Sequence, residues 1–348
     1  MYEDKVIKFL DSVKSTDNVV IIYNNDGDGI CSCVLIKKIL ETKGVDPYII
    51  AQPMPPDKNL QKKLQTTVPT KIIFLDMAID QQPHVVKKFA SISDILIIDH
   101  HSIKNNMNSM NVVHYNPRFE GEKIYQSTTY CAYKFGADMM EFSDNLWVAA
   151  VGMVSDYNLE DSQDIVEKVA EKYSVSKSLY KSIFGRLADM IAYTKSTKML
   201  SCDELVDLFG STTLENIENA KNYDKMLQSF QIVDKEINEI LDDAEKNSEK
   251  IGDIIFYNIK SRYGLSSVIS TRLSTKHKDN ILIIYEKSKS HIKLSARNQS
   301  RRFNLGKLFQ QAMQGIEGSG GGHEAAAGAT MKESDWEKFK KNLLELTS

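Results

Sequence analysis

Three continuous runs of apolar residues stand out in the N-terminal part of the chain, at 19–23 (VVIIY), 71–75 (KIIFL) and 94–98 (DILII). An apolar run without alternation is typical of a strand that is buried on both faces, as in a parallel sheet. Stretches with apolar residues at helical spacing lie between these runs, at 31–44, 57–65 and 81–91. Strands that alternate with helices predict a doubly wound α/β unit.

Helical periodicity dominates from about residue 127 onward, and a charged stretch at 229–250 is interpreted as a connecting helix. A second pattern of mixed strands and helices follows. It consists of a strand, a helix, a hairpin, a helix, a glycine cluster and a last helix, at 254–259, 264–276, 281–297, 305–313, 318–322 and 334–346. The sequence therefore predicts an α/β N-terminal domain with a doubly wound parallel sheet at 1–200, a helical linker at 201–250 and an α+β domain at 251–348.

Composition excludes several classes of protein. Of the 348 residues, 42% are hydrophobic and 26% are charged, which is the balance of a globular protein with a sizeable core rather than a disordered or collagen-like chain. No apolar run approaches the ~18 residues that a membrane span needs. The early acidic residues do not fit a signal peptide, and the 4 cysteines are expected to be reduced thiols. We therefore expect a cytoplasmic protein without a membrane partner.

Charge is distributed unevenly along the chain. Residues 251–348 hold 16 Lys and Arg against 9 Asp and Glu, a formal charge of +7, whereas residues 1–250 hold 28 against 38, a charge of −10. Such a division suits an acidic part that binds metal and a basic part that binds phosphate. Solubility alone is an equally good explanation of the charge difference taken by itself.

Acidic residues follow each of the three apolar runs, at the point where the predicted strand ends. They are Asp26 and Asp28 after the first run, Asp76 after the second, and Asp99 with the adjacent His100 and His101 after the third. Ligands of open α/β sheets bind outside the carboxyl ends of the strands, so the fold gathers these side chains at one edge. Divalent cations relieve the repulsion between the carboxylates. Carboxylates with imidazoles and without cysteine favour Mn²⁺ or Mg²⁺ over structural zinc.

Each of these features also has an ordinary structural explanation. An aspartate after a strand is often a helix N-cap, and the stretch from Asp26 to Gly29 is often a turn. In an extended segment, however, Asp26 and Asp28 point the same way and can reach two neighbouring ions. The recurrence of acidic residues at three successive strand ends favours the metal site. Cys31 and Cys33 are expected to be small buried residues rather than ligands.

The three strand-end motifs resemble those of the DHH phosphoesterase superfamily in type and order. The stretch VGMVSDY places Asp156 after an apolar helix, where the family has its last metal-binding aspartate, and segment 116–130 resembles the family's stretch before it. Towards the C-terminus, HIKLSAR contains the Ser-x-Arg of the DHHA1 domain as Ser295 and Arg297. Residues 318–328 (GSGGGHEAAAG) resemble the Gly-Gly-Gly-His signature of that domain. The resemblance covers nearly the whole chain.

The resemblance implies a phosphodiesterase that uses two Mn²⁺ ions, with Mg²⁺ as an alternative, most similar to the RecJ-type single-strand exonucleases of archaea. Its metal ligands would be Asp76 between the two ions, Asp26 on one ion, and Asp28, His100 and Asp156 on the other. Asp99, His100 and His101 would form the catalytic group, with Asp99 orienting His100 and His101 stabilising charge on the phosphoryl oxygens. We also expect Asp28 to serve the metal rather than the core, so that its replacement by alanine leaves the fold nearly intact.

The C-terminal domain supplies the implied substrate-binding residues: Ser295, Arg297, Gly320, Gly321, Gly322 and His323. Strand alternation places Lys293, Ser295 and Arg297 on one face, which is a phosphate-binding surface. The glycine-rich stretch is expected to present backbone N–H groups to an anion as a nest. A flexible loop and a solvated strand face are the corresponding structural explanations.

One position departs from the family pattern. Many members have a histidine or an aspartate where Asn24 stands, or a histidine at the position of Ile22, so the first metal is expected to have one protein ligand fewer. Single-stranded DNA or RNA and short oligonucleotides are the implied substrates. Oligoribonuclease, cyclic-dinucleotide phosphodiesterase and pyrophosphatase activities stay open, although the glycine signature argues against the last. The non-enzymatic alternative is a replication or repair scaffold that binds a partner such as the GINS complex with little catalysis.

Overall fold

The computed structural model describes residues 2–157, 159–322 and 324–347. The chain divides into two compact units, Met1–Phe230 and Gln231–Ser348. The first unit contains strands β1 (Val19–Asn24), β2 (Tyr48–Gln52), β3 (Lys71–Leu75), β4 (Asp94–Ile98) and β5 (Val112–Tyr115). Its helices are α1 (Tyr2–Asp11), α2 (Gly27–Glu41), α3 (Leu60–Thr67), α4 (Pro83–Phe89), α5 (Thr128–Met139), α6 (Leu146–Ser155), α7 (Gln163–Tyr173), α8 (Ile183–Thr197) and α9 (Cys202–Gly210).

The five strands of the first unit form one parallel sheet in the order β2-β1-β3-β4-β5. Both faces of the sheet are buried. Along β1, for example, Val19, Ile21 and Tyr23 belong to one apolar cluster, whereas Val20 and Ile22 belong to the cluster on the other face. The predicted doubly wound parallel sheet is thereby confirmed. Continuous apolar runs arise because every side chain of a central strand is buried.

The boundary between the two units falls within helix α10 (Tyr223–Asn247). Helix α9 precedes it, and its apolar residues Leu205, Val206, Leu208 and Phe209 are part of the large core of the first unit. The segment predicted as a linker, 201–250, is therefore shared between the two units in the structure. The reason is that α9 is amphipathic and has an apolar face to bury.

The second unit contains strands β6 (Glu249–Ile251), β7 (Ile254–Asn258), β8 (Ile281–Lys287), β9 (His291–Arg297), β10 (Gly318–Gly322) and β11 (Ala326–Lys332). Its helices after α10 are α11 (Ser266–Lys276), α12 (Leu305–Ala312) and α13 (Trp336–Thr347). The six strands form one sheet in the order β10-β11-β9-β8-β7-β6. Strands β7 and β8 are parallel, and the other pairs are antiparallel.

The glycine-rich stretch differs from the expectation of an anion-binding nest. Residues 318–322 form β10, an edge strand that pairs with β11 along its length. Gly322 has a φ of 154°, and a Cβ there would lie 2.3 Å from the carbonyl oxygen of Ala326. Glycine is required at this position because the neighbouring strand leaves no room for a side chain. Among the described helices, none has the length and apolar character needed to cross a membrane.

Candidate metal and phosphate-binding sites

The carboxyl end of β1 lies where the strand order reverses, with β2 on one side and β3 on the other. Such a switch point is where open α/β sheets bind ligands. Helix α2 begins there, capped by Asp26, whose Oδ1 accepts a hydrogen bond from the Gly29 amide at 3.0 Å. A Cβ on Gly29 would lie 2.0 Å from the Asn24 carbonyl oxygen, so the turn depends on glycine. Asp26 is therefore a helix N-cap, which is the ordinary structural explanation of an aspartate at this position.

Asn24 occupies the position at which the sequence departs from the family pattern. Its Nδ2 donates to Asp26 Oδ2 at 2.5 Å and to Asp76 Oδ2 at 3.2 Å. One neutral amide group thus joins two carboxylates that otherwise repel each other. Ile22 is fully buried in the core of the sheet.

Asp28 is buried, with 2% of its surface exposed. Its two carboxylate oxygens accept hydrogen bonds from the first backbone amides of α5, Thr128 at 2.9 Å and Thr129 at 2.8 Å. Burial raises the pKa of this carboxyl group, although the His100 charge and the Thr129 hydrogen bonds act against the increase. Asp28 therefore has a structural part beside its expected part in metal binding, because it satisfies two amides at a helix N-terminus.

His100 lies at the centre of the acidic groups and is 3% exposed. Its Nε2 is 3.1 Å from Asp76 Oδ1 and 3.9 Å from Asp28 Oδ2, while its Nδ1 is 3.5 Å from Asp156 Oδ2. Burial lowers the pKa of this imidazole despite the surrounding carboxylates. A neutral imidazole has one N–H, so it cannot donate towards carboxylates on both of its sides.

His101 is held by the preceding aspartate. Asp99 Oδ1 is 2.7 Å from His101 Nδ1, and the Asp99 carboxyl group is buried. Burial alone lowers the pKa of His101, but the Asp99 hydrogen bond and charge raise it to about 8. Burial acts to raise the pKa of Asp99, yet the hydrogen bond and charge of His101 leave it below its usual value. The side-chain hydrogen bond of Asp99 thus goes to His101, whereas the family resemblance led us to expect that Asp99 orients His100.

Asp76 and Asp156 complete the cluster. Asp76 follows β3 with a φ of 57°, a left-handed conformation that costs an aspartate of order 1–3 kcal/mol. Burial, with the nearby Asp26 and Asp28 charges, raises the pKa of Asp76 far above its usual value. Asp156 is the C-cap of α6, and burial together with the Asp28 charge raises its pKa to about 8. A Cβ on Gly27 would lie 2.2 Å from Ser155 Oγ, so α2 and α6 approach closely beside this aspartate.

These side chains form two groups whose ligand atoms lie within 4.8 Å of one another: Asp28, His100 and Asp156, and Asp76, His100 and His101. Asp76 Oδ1, His100 Nδ1 and Asp156 Oδ2 are buried, and none has a well-aligned hydrogen bond within the described ranges, although His100 Nε2 lies 3.1 Å from Asp76 Oδ1. Buried polar atoms without partners are costly, and a cation would satisfy them. The oxygen and nitrogen donors therefore fit a divalent metal. Asp26 belongs to neither group among the described residues, and Cys31 and Cys33 are core residues.

Three residues that support the site were not singled out from the sequence. Asn116 Nδ2 donates to the His101 carbonyl at 3.0 Å, and Arg118 Nε donates to the His100 carbonyl at 2.9 Å. The Tyr125 ring lies edge-on to His100 at 5.0 Å, and its hydroxyl faces the Asp156 carboxylate. All three belong to the segment 116–130, for which overall resemblance to the family was the available signal.

In the second unit, Arg297 lies beside two serines. Its Nη2 donates to Ser267 Oγ at 3.1 Å, and its Nη1 donates to Ser295 Oγ at 3.4 Å and to the Ala296 carbonyl at 2.9 Å. Burial lowers the pKa of the Arg297 guanidinium from its usual value. Gly321 pairs with Gly328, which in turn pairs with Ser295, so a surface of small residues adjoins the arginine. His323 lies outside the described residues.

The family models described as "DHH family, N-terminal domain" and "DHHA1 domain" match residues 18–170 and 255–348, which together are more than two thirds of the chain. The protein belongs to the DHH phosphoesterase superfamily and carries a DHHA1 domain. No curated protein matches the sequence.

Solved structures show the same fold. RecJ from Thermus thermophilus in complex with Mn²⁺ is similar with a TM-score of 0.75 at 13% identity, over 99% of this chain and 54% of that one, so the chain spans about half of that RecJ. An exonuclease RecJ bound to manganese is similar with a TM-score of 0.69 at 12% identity, over 99% of this chain and 94% of that one. CDC45 from Entamoeba histolytica is similar with a TM-score of 0.61 at 13% identity, over 100% of this chain and 99% of that one. At these identities the likeness concerns the fold.

Proposed function

We propose that the protein is a Mn²⁺-dependent phosphodiesterase that degrades single-stranded nucleic acid or short oligonucleotides as an exonuclease. The observation that carries this proposal is the pair of three-residue groups that share His100 at the carboxyl edge of the parallel sheet. The two groups bring Asp28, Asp76, His100 and Asp156 together, which are four of the five ligands that the family resemblance implies for a two-metal site. The RecJ structures in complex with manganese support the choice of metal.

The proposed ligands are the five residues named from the sequence. Asp76 would be shared between the ions, Asp26 would hold one of them, and the other would be held by Asp28, His100 and Asp156. Cations in such a site supply Lewis-acid polarisation of a phosphoryl oxygen. Asp26 Oδ2 already accepts a hydrogen bond from the Asn24 amide, which would compete with a cation for the charge of this carboxylate. We therefore propose that the ion beside Asp26 binds more weakly than the other.

His101 has a different part in this proposal. Its side chain is 39% exposed, so it is open to a substrate, whereas His100 is buried. The hydrogen bond to Asp99 engages Nδ1, which leaves Nε2 to donate a proton towards a phosphoryl oxygen. Against the effect of burial, the Asp99 hydrogen bond and charge raise the pKa of the ring to about 8, and a protonated ring would stabilise the extra negative charge that develops during the reaction.

The second unit is proposed to hold the rest of the nucleotide chain. Arg297 offers a planar set of donors that matches a phosphate, and it is already positioned by Ser267 and Ser295. The adjoining glycines 320–322 allow a backbone or a base to come close. The formal charge of +7 on residues 251–348 favours a polyanion.

A time course on end-labelled single-stranded DNA and RNA, with Mn²⁺ and then with excess EDTA, tests the proposal. We expect stepwise shortening that needs Mn²⁺ and that is lost in Asp76→Asn. Asp138→Asn is the matched control, because Asp138 is exposed in the last turn of α5, at the end of that helix away from Asp28. Cleavage that persists in EDTA contradicts the metal mechanism. If the protein cleaves a small diester but no oligonucleotide, the result supports a phosphoesterase and contradicts the proposed nucleic-acid substrate.

A scaffold role in a replication or repair assembly is the second candidate. The similarity to CDC45 over nearly the full length of both chains is the observation in its favour. The intact acidic and histidine groups favour the enzyme, since a scaffold has no need of buried atoms that lack partners. The outcome that selects the scaffold is binding of a GINS-type partner together with no Mn²⁺-dependent hydrolysis of any phosphodiester.

A further inference from the structure

Two tyrosines form an exposed aromatic pair beside the candidate metal centre. Tyr157 follows Asp156 directly and is 72% exposed, and Tyr180 is 40% exposed. Their rings lie nearly parallel, with an interplanar angle of 11° and 6.2 Å between centroids. Ile183, which is also 40% exposed, lies three residues after Tyr180 in the chain. Large apolar side chains exposed together, rather than singly, mark a binding surface.

The backbone that carries the two tyrosines is constrained by the surrounding structure. Tyr157 has a φ of 57°, a left-handed conformation that is uncommon for a bulky residue. Tyr180 stands in a short turn whose preceding residue, Leu179, is fully buried. A Cβ on Gly185 would lie 2.1 Å from the Tyr180 carbonyl oxygen, so the turn is packed directly against α8. A rigid aromatic surface loses little entropy when a ligand stacks on it.

The pair also lies close to the acidic cluster. Tyr157 directly follows Asp156, whose Oδ2 is 3.5 Å from His100 Nδ1, and the Tyr180 ring lies against the Tyr157 ring, so the pair adjoins the candidate metal ligands. A ligand on the rings would therefore have its other end beside the candidate metal ligands. Aromatic faces bind nucleobases of any sequence by stacking, which is the usual device of proteins that hold single strands.

We propose that Tyr157 and Tyr180 form a stacking platform for the nucleobase next to the phosphate that is cleaved. This inference rests on the proposed nuclease function and adds to it the place where the base binds. The occupant is a base of a single strand, because a base in a duplex is covered on both faces by its neighbours. Specificity would come from the presence of a base and its stacking strength rather than from its identity.

The test combines variants of the platform with substrates that lack one base. A series of single-stranded oligonucleotides carries one abasic residue at successive positions from the processed end, and kcat/KM is measured with Mn²⁺. Tyr157→Asn removes the ring but keeps a residue that tolerates the left-handed backbone, and Tyr157→Phe keeps the ring. Tyr48→Asn is the matched control, since Tyr48 is 54% exposed at the amino end of β2, whereas the candidate metal ligands lie at the carboxyl ends of the strands.

For the wild-type protein, we expect an abasic residue at one position to lower kcat/KM by roughly 5- to 150-fold, the range that corresponds to stacking of one base. Tyr157→Asn should lower kcat/KM on the intact substrate by a similar factor. It should add little on the substrate that lacks the stacked base, because the two changes remove the same contact. Tyr157→Phe, which keeps the ring, should restore most of the kcat/KM that Tyr157→Asn loses, and Tyr48→Asn should retain the wild-type value. Tyr180→Leu gives a second comparison if Tyr157→Asn fails to fold.

The failures of the two proposals are distinguishable. Suppose that the wild-type protein shortens single strands, but that Tyr157→Asn lowers kcat/KM by the same factor whether or not a base is missing, at every position tested. The two changes are then independent, which refutes the platform and leaves the nuclease proposal intact. An equal loss in Tyr48→Asn likewise refutes the platform. If the wild-type protein cleaves no single strand with Mn²⁺, the proposed function fails and the platform fails with it.

Discussion

Replacement of Asp28 separates the part of this residue in folding from its proposed part in metal binding. Its carboxylate accepts the amides of Thr128 and Thr129, and both of these groups are buried. Each buried donor that loses its acceptor costs about 1–3 kcal/mol. Removal of a buried carboxylate near Asp26 offsets part of this cost. We therefore expect Asp28→Ala to lower the free energy of unfolding by about 2–4 kcal/mol in the metal-free protein.

Asp28→Asn is the milder change, because its carbonyl oxygen still accepts one of the two amides. The expected loss is about half of that in Asp28→Ala, roughly 1–2 kcal/mol. Both variants should remain folded at 25 °C, since a domain has about 5–15 kcal/mol of stability. Their difference measures the hydrogen bonds to α5 in the absence of metal.

The assay is denaturant unfolding followed by tryptophan fluorescence. Trp147 is buried in the core of the first unit and Trp336 in the core of the second, so Trp336→Phe in every protein leaves a signal from the first unit. Unfolding in EDTA gives the contribution of the hydrogen bonds. Unfolding with Mn²⁺ at 100 times its Kd should add about 2.7 kcal/mol to the wild-type protein. This increment should be largely lost in both Asp28 variants.

Two results contradict this reasoning independently. Wild-type stability of Asp28→Ala in EDTA means that water replaces the carboxylate at the start of α5 at no cost. A full Mn²⁺ increment in Asp28→Asn, with wild-type turnover, means that Asp28 is not a metal ligand. Loss of turnover in a variant that retains the increment places Asp28 in catalysis rather than in metal binding.

Three further predictions concern other residues. Asn24→Asp should lower the free energy of unfolding in EDTA by about 2–4 kcal/mol, because two hydrogen bonds to carboxylates become repulsions. The same change should tighten Mn²⁺ binding measured by calorimetry. Equal stability of the variant and the wild-type protein in EDTA contradicts this reasoning. Arg297→Ala should raise KM for oligonucleotides more than for a small diester, with Arg297→Lys an incomplete rescue; equal losses on both substrates exclude a distal anchor. Burial lowers the pKa of His114, so the unfolded chain binds the proton more readily and stability should fall as the pH drops below about 6.5. In His114→Gln, pH-dependent melting should show a smaller decline, and an unchanged decline would refute the assignment.

The sequence predicted the central strands and their acidic ends well, because a strand buried on both faces leaves a continuous apolar run. The edge strands β2 and β5 were not predicted, since β2 is partly exposed and its apolar run is short. Strand β10 gave no strand signal either. Its five residues are four glycines and a serine, which have low strand propensity, and it is held by pairing with β11.

The candidate site was predictable in its residue types but not in its contacts. Residue order placed Asp28, Asp76 and His100 at one edge of the sheet. It could not show that Asp28 also accepts two amides from a helix 100 residues away, nor that Asp99 bonds His101. These contacts depend on side-chain direction at the ends of strands, which spacing along the chain does not determine. The carbonyl contacts of Asn116 and Arg118 were missed for the same reason.

The side-chain amide of Asn24 has a consequence for how the protein meets its metal in a cell. Because this group donates to both Asp26 and Asp76, part of the acidic pocket has a partner from the moment the sheet forms. Folding of the first unit then need not wait for an ion. An ion that entered the pocket would then be selected by competition among the free divalent metals around the folded protein, where affinity rises along the series from Mn²⁺ to Cu²⁺. The metal supply of the compartment, rather than the conditions at the ribosome, would thus set how much of the protein is active.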